Sequence, residues 1–572
     1  MHTTLIRHAA GLSSYIAEMF AAWGWLAFDE QSLADALKSS AGRTLVLPAM
    51  PLTDDEVSDL LQYVAAGGRA IVCQPDQRLL DPAKLTYVGQ RVGPTRLRVV
   101  QPPAFGLAGE TLPIVGSAMR FKPAKDFVGS VHSFLTLPST FADESAGIVD
   151  IPMGKGRLIL AAFDWPRVVM TLRQGDPARA EYIPAPDVAV RASWLAADLG
   201  GDDIGWIPFA DLLSKLLIDL VAEASPAPMP TLHHMPEAAK CIVLYSGDED
   251  VAPVDNSDDE FAAVTEAGGR MNLYIIPGHT KCTPDDTKRW AANHDLGPHP
   301  DLRPLDGRPM AERLACYAAQ VKQFESQYGI KARTVRQHNL TWIGYTDLAE
   351  LLEELGVGLD SSFMCSGSYL HSRDPNPYRA FGGALPMRFC RLDGHMIEVY
   401  QQHLHIEDDV HFSDHIDYSF KWSPAYFESI FARMLDDMLN RFHLPITANL
   451  HPSNWVKFSE PQGMTILRQA AERGVAVWSF DQWLTFLQAR RSVTLNDVVW
   501  QTDDQGSELR ATVDVTQSHA DLRLSIPRTH QNRTLSTLTF AGQPQDVPND
   551  EPAVPISLDG AAGVTSLHAS YR

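Results

Sequence analysis

Apolar and polar positions along this chain fall into short blocks that switch between helical and strand periods. Near the start, SYIAEMFAAWGW carries its apolar residues on one helical face, LVLPAM is a short apolar run ending in a Pro-bearing turn, and RAIVC is another apolar run. Between the two runs, TDDEVSDLLQYVAAGG reads as a helix from end to end, with Thr53 as N-cap, acids in its first turn and Gly67-Gly68 as its stop. Strands alternating with helices predict a parallel sheet. From about residue 95 to 170 the pattern turns strand-like, as in TRLRVV and GKGRLILAAFDW, and DLLSKLLIDLVAEA follows as a helix. The Pro-rich SPAPMP at 225–230 predicts a semi-extended linker.

Residues 240–490 repeat the strand-then-helix theme. CIVLYSGDED, RMNLYII, DLGPHP, RTVRQH, VGLDSS, PITANLH and VAVWSF read as strands, separated by helical patterns that include long ones over 310–328 and 423–442. That succession predicts a closed or partly closed (β/α) barrel. The tail lacks long helical periodicity and alternates as in ELRATVDV and DLRLSI, which predicts a small β-sandwich. The expected fold class is therefore α/β multidomain. Its parts are an α/β domain with a β-rich insertion over 1–224, a linker over 225–238, a barrel over 239–492 and a β-sandwich over 493–572.

Length agrees, since 572 residues at about 100–200 per domain imply several domains. A net charge of −22 argues against nucleic acid and against an anionic membrane surface, both of which are bound through concentrated Lys and Arg. Six cysteines, Cys73, Cys241, Cys282, Cys316, Cys365 and Cys390, stand far apart with no C-x-x-C pair, resembling neither a disulfide framework nor a zinc knuckle. The N-terminal stretch has no signal-peptide pattern, and no run of about 20 apolar residues could span a bilayer. The expectation is a soluble chain of a reducing, bacterial-type cytoplasm.

Eleven of the twenty histidines fall between His294 and His451. In a (β/α) barrel the chemistry sits at the C-terminal ends of the strands, and three such ends carry suitable groups. CIVLYSGDED runs from an apolar strand straight into Asp248, Glu249 and Asp250, a cluster that stays together at low cost when a cation, a proton or water is shared among the carboxylates. DLGPH ends in His299, fixed by prolines on both sides and close to acids, a setting suited to Zn, Mn, Fe or Co. PITANLH ends in His451, which can act as a general acid.

Taken together these strand ends resemble the polysaccharide deacetylase family, whose motifs occur in this order on a distorted (β/α) barrel. YSGDED occupies the slot of that family's TFDDG, NHDLGPH that of GHEIGxHxxxH, Arg336-Gln337-His338 that of its later Arg-bearing strand, Asp360-Ser361-Ser362 that of its Asp-Ser-Ser strand, and Leu450-His451 that of its leucine-histidine motif. The resemblance covers about 240 residues. It implies metal-assisted hydrolysis of an amide or ester, with Asp248 as base, His451 as acid, and Arg336 orienting a carboxylate or holding the base. Asp250 and His299 would be metal ligands. Either Glu249 or Asp250 fits the acidic metal slot, and Asp250 is preferred because alternate residues of an extended segment point the same way. Four residues after His299, where the family has a second metal-binding His, this chain has Arg303. The nearest replacements are His338, Asp301 and His294, and His338 is taken as the third ligand. His403, His405 and His411, mixed with acids over 401–411, allow a second metal site or a solvent-facing polar loop at the barrel mouth, the latter preferred.

The N-terminal pattern resembles the flavodoxin-like glutamine-amidotransferase domain that accompanies some glycosidase barrels. Cys73 lies in RAIVCQPD without the elbow that a nucleophile needs, so the resemblance implies a non-catalytic module for packing, self-association or substrate steering. No dinucleotide or P-loop fingerprint occurs. The leading expectation is thus a divalent-metal hydrolase cleaving an N- or O-acyl bond of a saccharide or small amide or ester. A catalytically degenerate barrel that binds carbohydrate or serves assembly, and a metal-independent amidohydrolase, are the alternatives.

Overall fold

The computed structural model describes residues 2–38, 42–92, 95–101, 111–136, 145–183, 190–196, 207–364, 382–417, 419–503 and 506–572. The chain is a mixed α/β assembly of several sheets. Strands Phe28–Gln31, Thr3–Ile6, Thr44–Leu47, Arg69–Cys73 and Gly156–Ala161 lie side by side in that order, all parallel. The helix Asp54–Ala65 starts where its sequence says it should, with a reciprocal capping box between Thr53 and Glu56. Beyond Gly156–Ala161 the sheet continues antiparallel through Ser145–Met153, Ser130–Thr136, Thr95–Val99 and Thr111–Ile114, and Leu85–Val92 pairs with Ser117–Pro123 on a branch. Cys73 is wholly buried, and burial pushes its thiol well above the ordinary range.

In the centre, Ile242–Asp248 is buried along its whole length between the parallel strands Asn272–Ile275 and Ile446–Asn449. Asp295–Pro298 and Ile406–Glu407 extend this arc on its two sides, and Ala476–Trp478 pairs with the start of Ile242–Asp248. A second arc holds Thr334–Val335, Leu359–Met364 and Met396–Leu404, parallel, with Met387–Cys390 antiparallel at its edge. The arcs touch at both ends. The His338 N–H donates to the Pro300 carbonyl at 3.1 Å, and the His405 N–H donates to Thr447 Oγ1 at 2.7 Å. Gly297 allows one of these approaches, because a Cβ there would lie 2.7 Å from the Thr334 carbonyl oxygen. Parallel pairing gathers the C-terminal ends of the strands in each arc on one side, and those ends hold Asp248, His299, Arg336 and His451.

The last region is antiparallel. Val493–Thr502, Ser507–Val515, Gly563–Tyr571 and Arg533–Phe540 form one sheet, and Arg523–Pro527 with Ala553–Ser557 form another. Thr231–Leu232, from the Pro-rich stretch, pairs with Arg523–Pro527, and Ala227, Met229, Leu232 and Met235 around it are buried, so this stretch is packed rather than solvated. The N-terminal region also bonds to the centre. Glu18 accepts from Arg388 and Arg491, and the Arg173 carbonyl accepts from Gln401 Nε2. Cys73, Cys241, Cys282, Cys316 and Cys390 are free thiols, and Cys365 lies outside the described residues. Among the described residues no helix is long and apolar enough to cross a membrane.

Candidate metal centre

The strand Ile242–Asp248 delivers Asp248 into the interior, where its residue is 3% exposed. Its Oδ1 accepts from Arg336 Nη1 at 3.1 Å and its Oδ2 from Asn449 Nδ2 at 2.8 Å. Arg336 has no exposed surface. It also donates from Nη1 to Ser246 Oγ at 2.8 Å and to Asn449 Oδ1, from Nε to the Ser361 carbonyl at 3.2 Å, and from Nη2 to Ser361 Oγ at 3.0 Å. The rings of Tyr274 and Phe480 lie 4.9 and 5.5 Å from its guanidinium carbon. Burial pushes the Asp248 carboxyl up, but the charges of His299, Arg336 and His451 outweigh it and hold the group below the usual carboxylate range.

Directly after the strand the backbone turns sharply, with Asp250 at φ 42° and Val251 at φ 60°. Left-handed backbone at two non-glycine residues costs on the order of 1–3 kcal/mol each and clusters at functional sites. The turn swings Asp250 toward two imidazoles, with Oδ1 3.3 Å from His299 Nε2 and Oδ2 3.5 Å from His338 Nε2. This differs in origin from the sequence argument, which relied on an extended segment. Glu249 points elsewhere, accepting from Thr280 Oγ1 at 2.9 Å and from the Val251 N–H at 3.1 Å.

His299 Nδ1 lies 2.9 Å from the Arg336 carbonyl and donates to it, which turns Nε2 toward Asp250. His338 Nδ1 lies 3.1 Å from Asp301 Oδ1. One ligand atom each from Asp250, His299 and His338 falls within 4.8 Å of the others. Burial raises the Asp250 carboxyl, yet the two imidazoles and the charge of His451 hold it far below the ordinary range. Burial alone would depress His338, but Asp250 and Asp301 raise it. The donor set suits a borderline divalent cation: two imidazoles, one carboxylate, and a buried Asp250 Oδ1 that meets no hydrogen-bond donor among the described residues.

Arg303 is at the surface, with 55% of its side chain exposed, and donates from Nε at 3.0 Å and from Nη2 at 2.8 Å to Asp301. It braces the carboxylate behind His338. His294 sits away from this cluster, 3.0 Å from Thr265 Oγ1 and stacked on Phe261.

His451 follows the strand Ile446–Asn449. Its Nδ1 lies 2.6 Å from Asp408 Oδ1, its N–H donates to Asp408 Oδ2 at 2.9 Å, and its Nε2 is 3.7 Å from Asp250 Oδ2. Burial disfavours the imidazolium, but the charges of Asp408 and Asp409 overcome it and raise His451 well above the ordinary value. Glu407, at the start of the same acidic run, is pushed up to about 8 by burial first and by neighbouring carboxylates after it.

The histidine-rich stretch does not form a solvent-facing loop. His403, His405 and His411 are buried. His403 Nδ1 lies 2.9 Å from the Gly383 carbonyl and its Nε2 3.1 Å from the Arg173 carbonyl, His405 Nδ1 lies 2.8 Å from Thr447 Oγ1, and His411 Nδ1 lies 2.7 Å from the Glu407 carbonyl. What this stretch adds to the centre is Asp408, and sequence reasoning assigned no role to it or to Asn449. The only available signals were an Asn at the end of an apolar strand and a run of three acids.

No family model matches the sequence, and no curated protein matches it. The structure is similar to that of a carbohydrate deacetylase, Agd3, at 11% identity and TM-score 0.43, over 99% of this chain and 98% of that one. It is also similar to a protein from Mycobacterium smegmatis assigned as a polysaccharide deacetylase, at 14% identity and TM-score 0.33, over 45% of this chain and 93% of that one. A protein from Bordetella bronchiseptica assigned as a polysaccharide deacetylase in O-antigen biosynthesis resembles 42% of this chain over 94% of its own, at 16% identity and TM-score 0.26. These likenesses are distant, and the functional reading rests on the side chains.

Proposed function

We propose that the chain is a metal-dependent hydrolase that cleaves an N- or O-acyl bond of a saccharide or related small molecule. The observation that carries this reading is the Asp250, His299 and His338 cluster set beside an ionised, tethered Asp248. The two central arcs are read as a distorted (β/α) barrel. The N-terminal region, with its buried Cys73, is read as a non-catalytic amidotransferase-like module, and the antiparallel tail as a β-sandwich.

Asp250 Oδ1, His299 Nε2 and His338 Nε2 would hold the cation, with Asp301 and the Arg336 carbonyl orienting the two imidazoles. When bound, a divalent cation supplies Lewis acidity toward an acyl carbonyl. Asp248 is fixed through both carboxylate oxygens and kept ionised, so it serves as the base that takes a proton from the attacking water. Arg336 is a positioning residue, because every donor contact described for it goes to Asp248, Asn449, Ser246 or Ser361. His451, charged and aligned by Asp408, gives its Nε2 proton to the departing amine or alkoxide.

The test is elemental analysis of the purified chain after equilibration with Zn2+ and removal of loosely bound metal. About one tightly held equivalent is expected, lost in Asp250→Ala and His299→Ala and retained in Glu249→Gln. Hydrolysis of acetylated model sugars is expected in the wild type and not in Asp248→Asn. Metal content unchanged in both ligand variants would overturn the reading, and bound metal without hydrolysis of any acyl substrate would favour a binding protein.

A further inference from the structure

We propose that Glu407, Asp409 and His451 form a second cation site, separate from the first, and that a divalent cation bound there prevents His451 from donating its proton. The second clause rests on the role given to His451 above; the first does not.

One oxygen each from Glu407 and Asp409 and one nitrogen from His451 lie within 4.8 Å of one another. His451 Nδ1 is committed to Asp408 Oδ1 at 2.6 Å, so the nitrogen offered to a cation is Nε2. Asp408 then stands behind this imidazole as Asp301 stands behind His338, the outer carboxylate that fixes a metal-binding ring. An independent observation points the same way. Glu407 is only 7% exposed, and its Oε2 meets no hydrogen-bond partner among the described residues. A buried carboxyl oxygen with no partner costs roughly 1–3 kcal/mol, and a cation that takes the place of the carboxyl proton gives it one. Asp409 keeps one oxygen on Asn454 Nδ2 at 2.7 Å, which holds the carboxylate in place while its other oxygen completes the site.

Two carboxylates and one imidazole make a harder and weaker donor set for Zn2+ than two imidazoles and one carboxylate. The first group of ligands therefore fills first. Because His451 Nε2 is 3.7 Å from Asp250 Oδ2, the two sites adjoin across Asp250. A cation on Nε2 takes the lone pair that would carry the proton, so excess metal inhibits.

The experiment is a titration of the metal-stripped full-length protein with Zn2+ by calorimetry and equilibrium dialysis. The wild type is expected to bind two equivalents with affinities at least tenfold apart. The weaker equivalent should vanish in Glu407→Gln and Asp409→Asn, two near-isosteric variants checked by circular dichroism, and persist in His299→Ala. On an acetylated substrate, wild-type turnover should fall as the weaker equivalent binds. A wild type that up to millimolar Zn2+ takes only an equivalent lost in neither Glu407→Gln nor Asp409→Asn, or a second equivalent unaffected by both variants, overturns the proposal, as does loss of the second equivalent in His299→Ala. A weaker equivalent that behaves as stated while the tight one is missing would instead sink the hydrolase reading and leave the second site standing.

Discussion

Removing the Arg336 guanidinium tests the central claim that it fixes and charges Asp248. The pair is 3.1 Å apart with no exposed guanidinium surface, so its gross attraction at an effective dielectric near 20 is about 5 kcal/mol. Arg336→Met keeps apolar bulk against Tyr274 and Phe480 but strands a buried carboxylate, which costs about 3–5 kcal/mol. The chain has several regions and need not unfold in one step, so the readout should be local: native-state hydrogen exchange of Ile242–Asp248 and Ile446–Asn449. Exchange there should accelerate by roughly 150- to 5,000-fold, at tenfold per about 1.4 kcal/mol. Asp248→Asn in the Arg336→Met background removes the stranded charge and keeps the bond from Asn449, so it should restore at least about 2 kcal/mol, a coupling visible in the double-mutant cycle. The pH dependence has a definite sign. Asp248 is held below its unfolded value of about 3.9, so its contribution is present above that pH and lost as pH falls through the folded value. In Arg336→Met the deficit should shrink on acidification, as protonation neutralises the unpaired group. Acceleration below about fivefold, or a strictly additive double variant, would refute the argument.

Three other outcomes follow from the same geometry. Asp408→Asn should move the His451 imidazolium downward, read from histidine ring carbon resonances; because the folded value is raised, the stability from this pair is full below about pH 6.5 and lost as pH rises through the folded value, and the variant should flatten that limb. Asp301→Asn should weaken Zn2+ binding at the first site about 10–100-fold by loosening His338, whereas Glu249→Gln should leave it unchanged in the same titration. Gly247→Ala would bring a Cβ to 2.8 Å from the Leu450 carbonyl oxygen, and the resulting backbone shift should cost about 1–3 kcal/mol in exchange of the same strands.

The strand ends were legible because a buried parallel strand reads as an unbroken apolar run, and polar residues that follow such a run stand out. Asp248, His299, Arg336 and His451 each mark the end of one, and the structure brings all four together. What lay outside the pattern depends on contacts distant in sequence. His403 is tied to carbonyls of Gly383 and Arg173, and His405 to Thr447; carbonyl partners exist at every residue and leave no mark in composition, so buried structural histidines looked like a polar loop. Leu85–Val92 carries no strand signal in its sequence, since most of its side chains face solvent and lack an apolar alternation. The choice of Asp250 over Glu249 came from an assumed extended backbone, whereas two left-handed residues decide it. Such a conformation is set by what the carboxylate must reach and is not encoded in local propensity.

Charge at the centre sets Asp250 apart from the acids around it. The interior holds Asp248, Asp250, Glu260, Glu407 and Asp408 with Asp409 at its margin, and the guanidinium described among them is that of Arg336. Asp248 has that guanidinium, and Asp408 has the His451 imidazolium. Glu260, beside the Tyr245 hydroxyl, is pushed far up by burial and by the charge of Asp408, and Glu407 is raised to about 8, so near neutral pH both are protonated in the absence of a cation. Asp250 is different. Burial alone would raise it, yet the imidazoles of His299 and His338 and the charge of His451 hold it ionised. Its Oδ1 lies 3.3 Å from His299 Nε2 and its Oδ2 3.5 Å from His338 Nε2, so the carboxylate stands between two imidazoles. Under the function proposed above, a divalent cation would be held by one atom from each imidazole and one from the carboxylate at once.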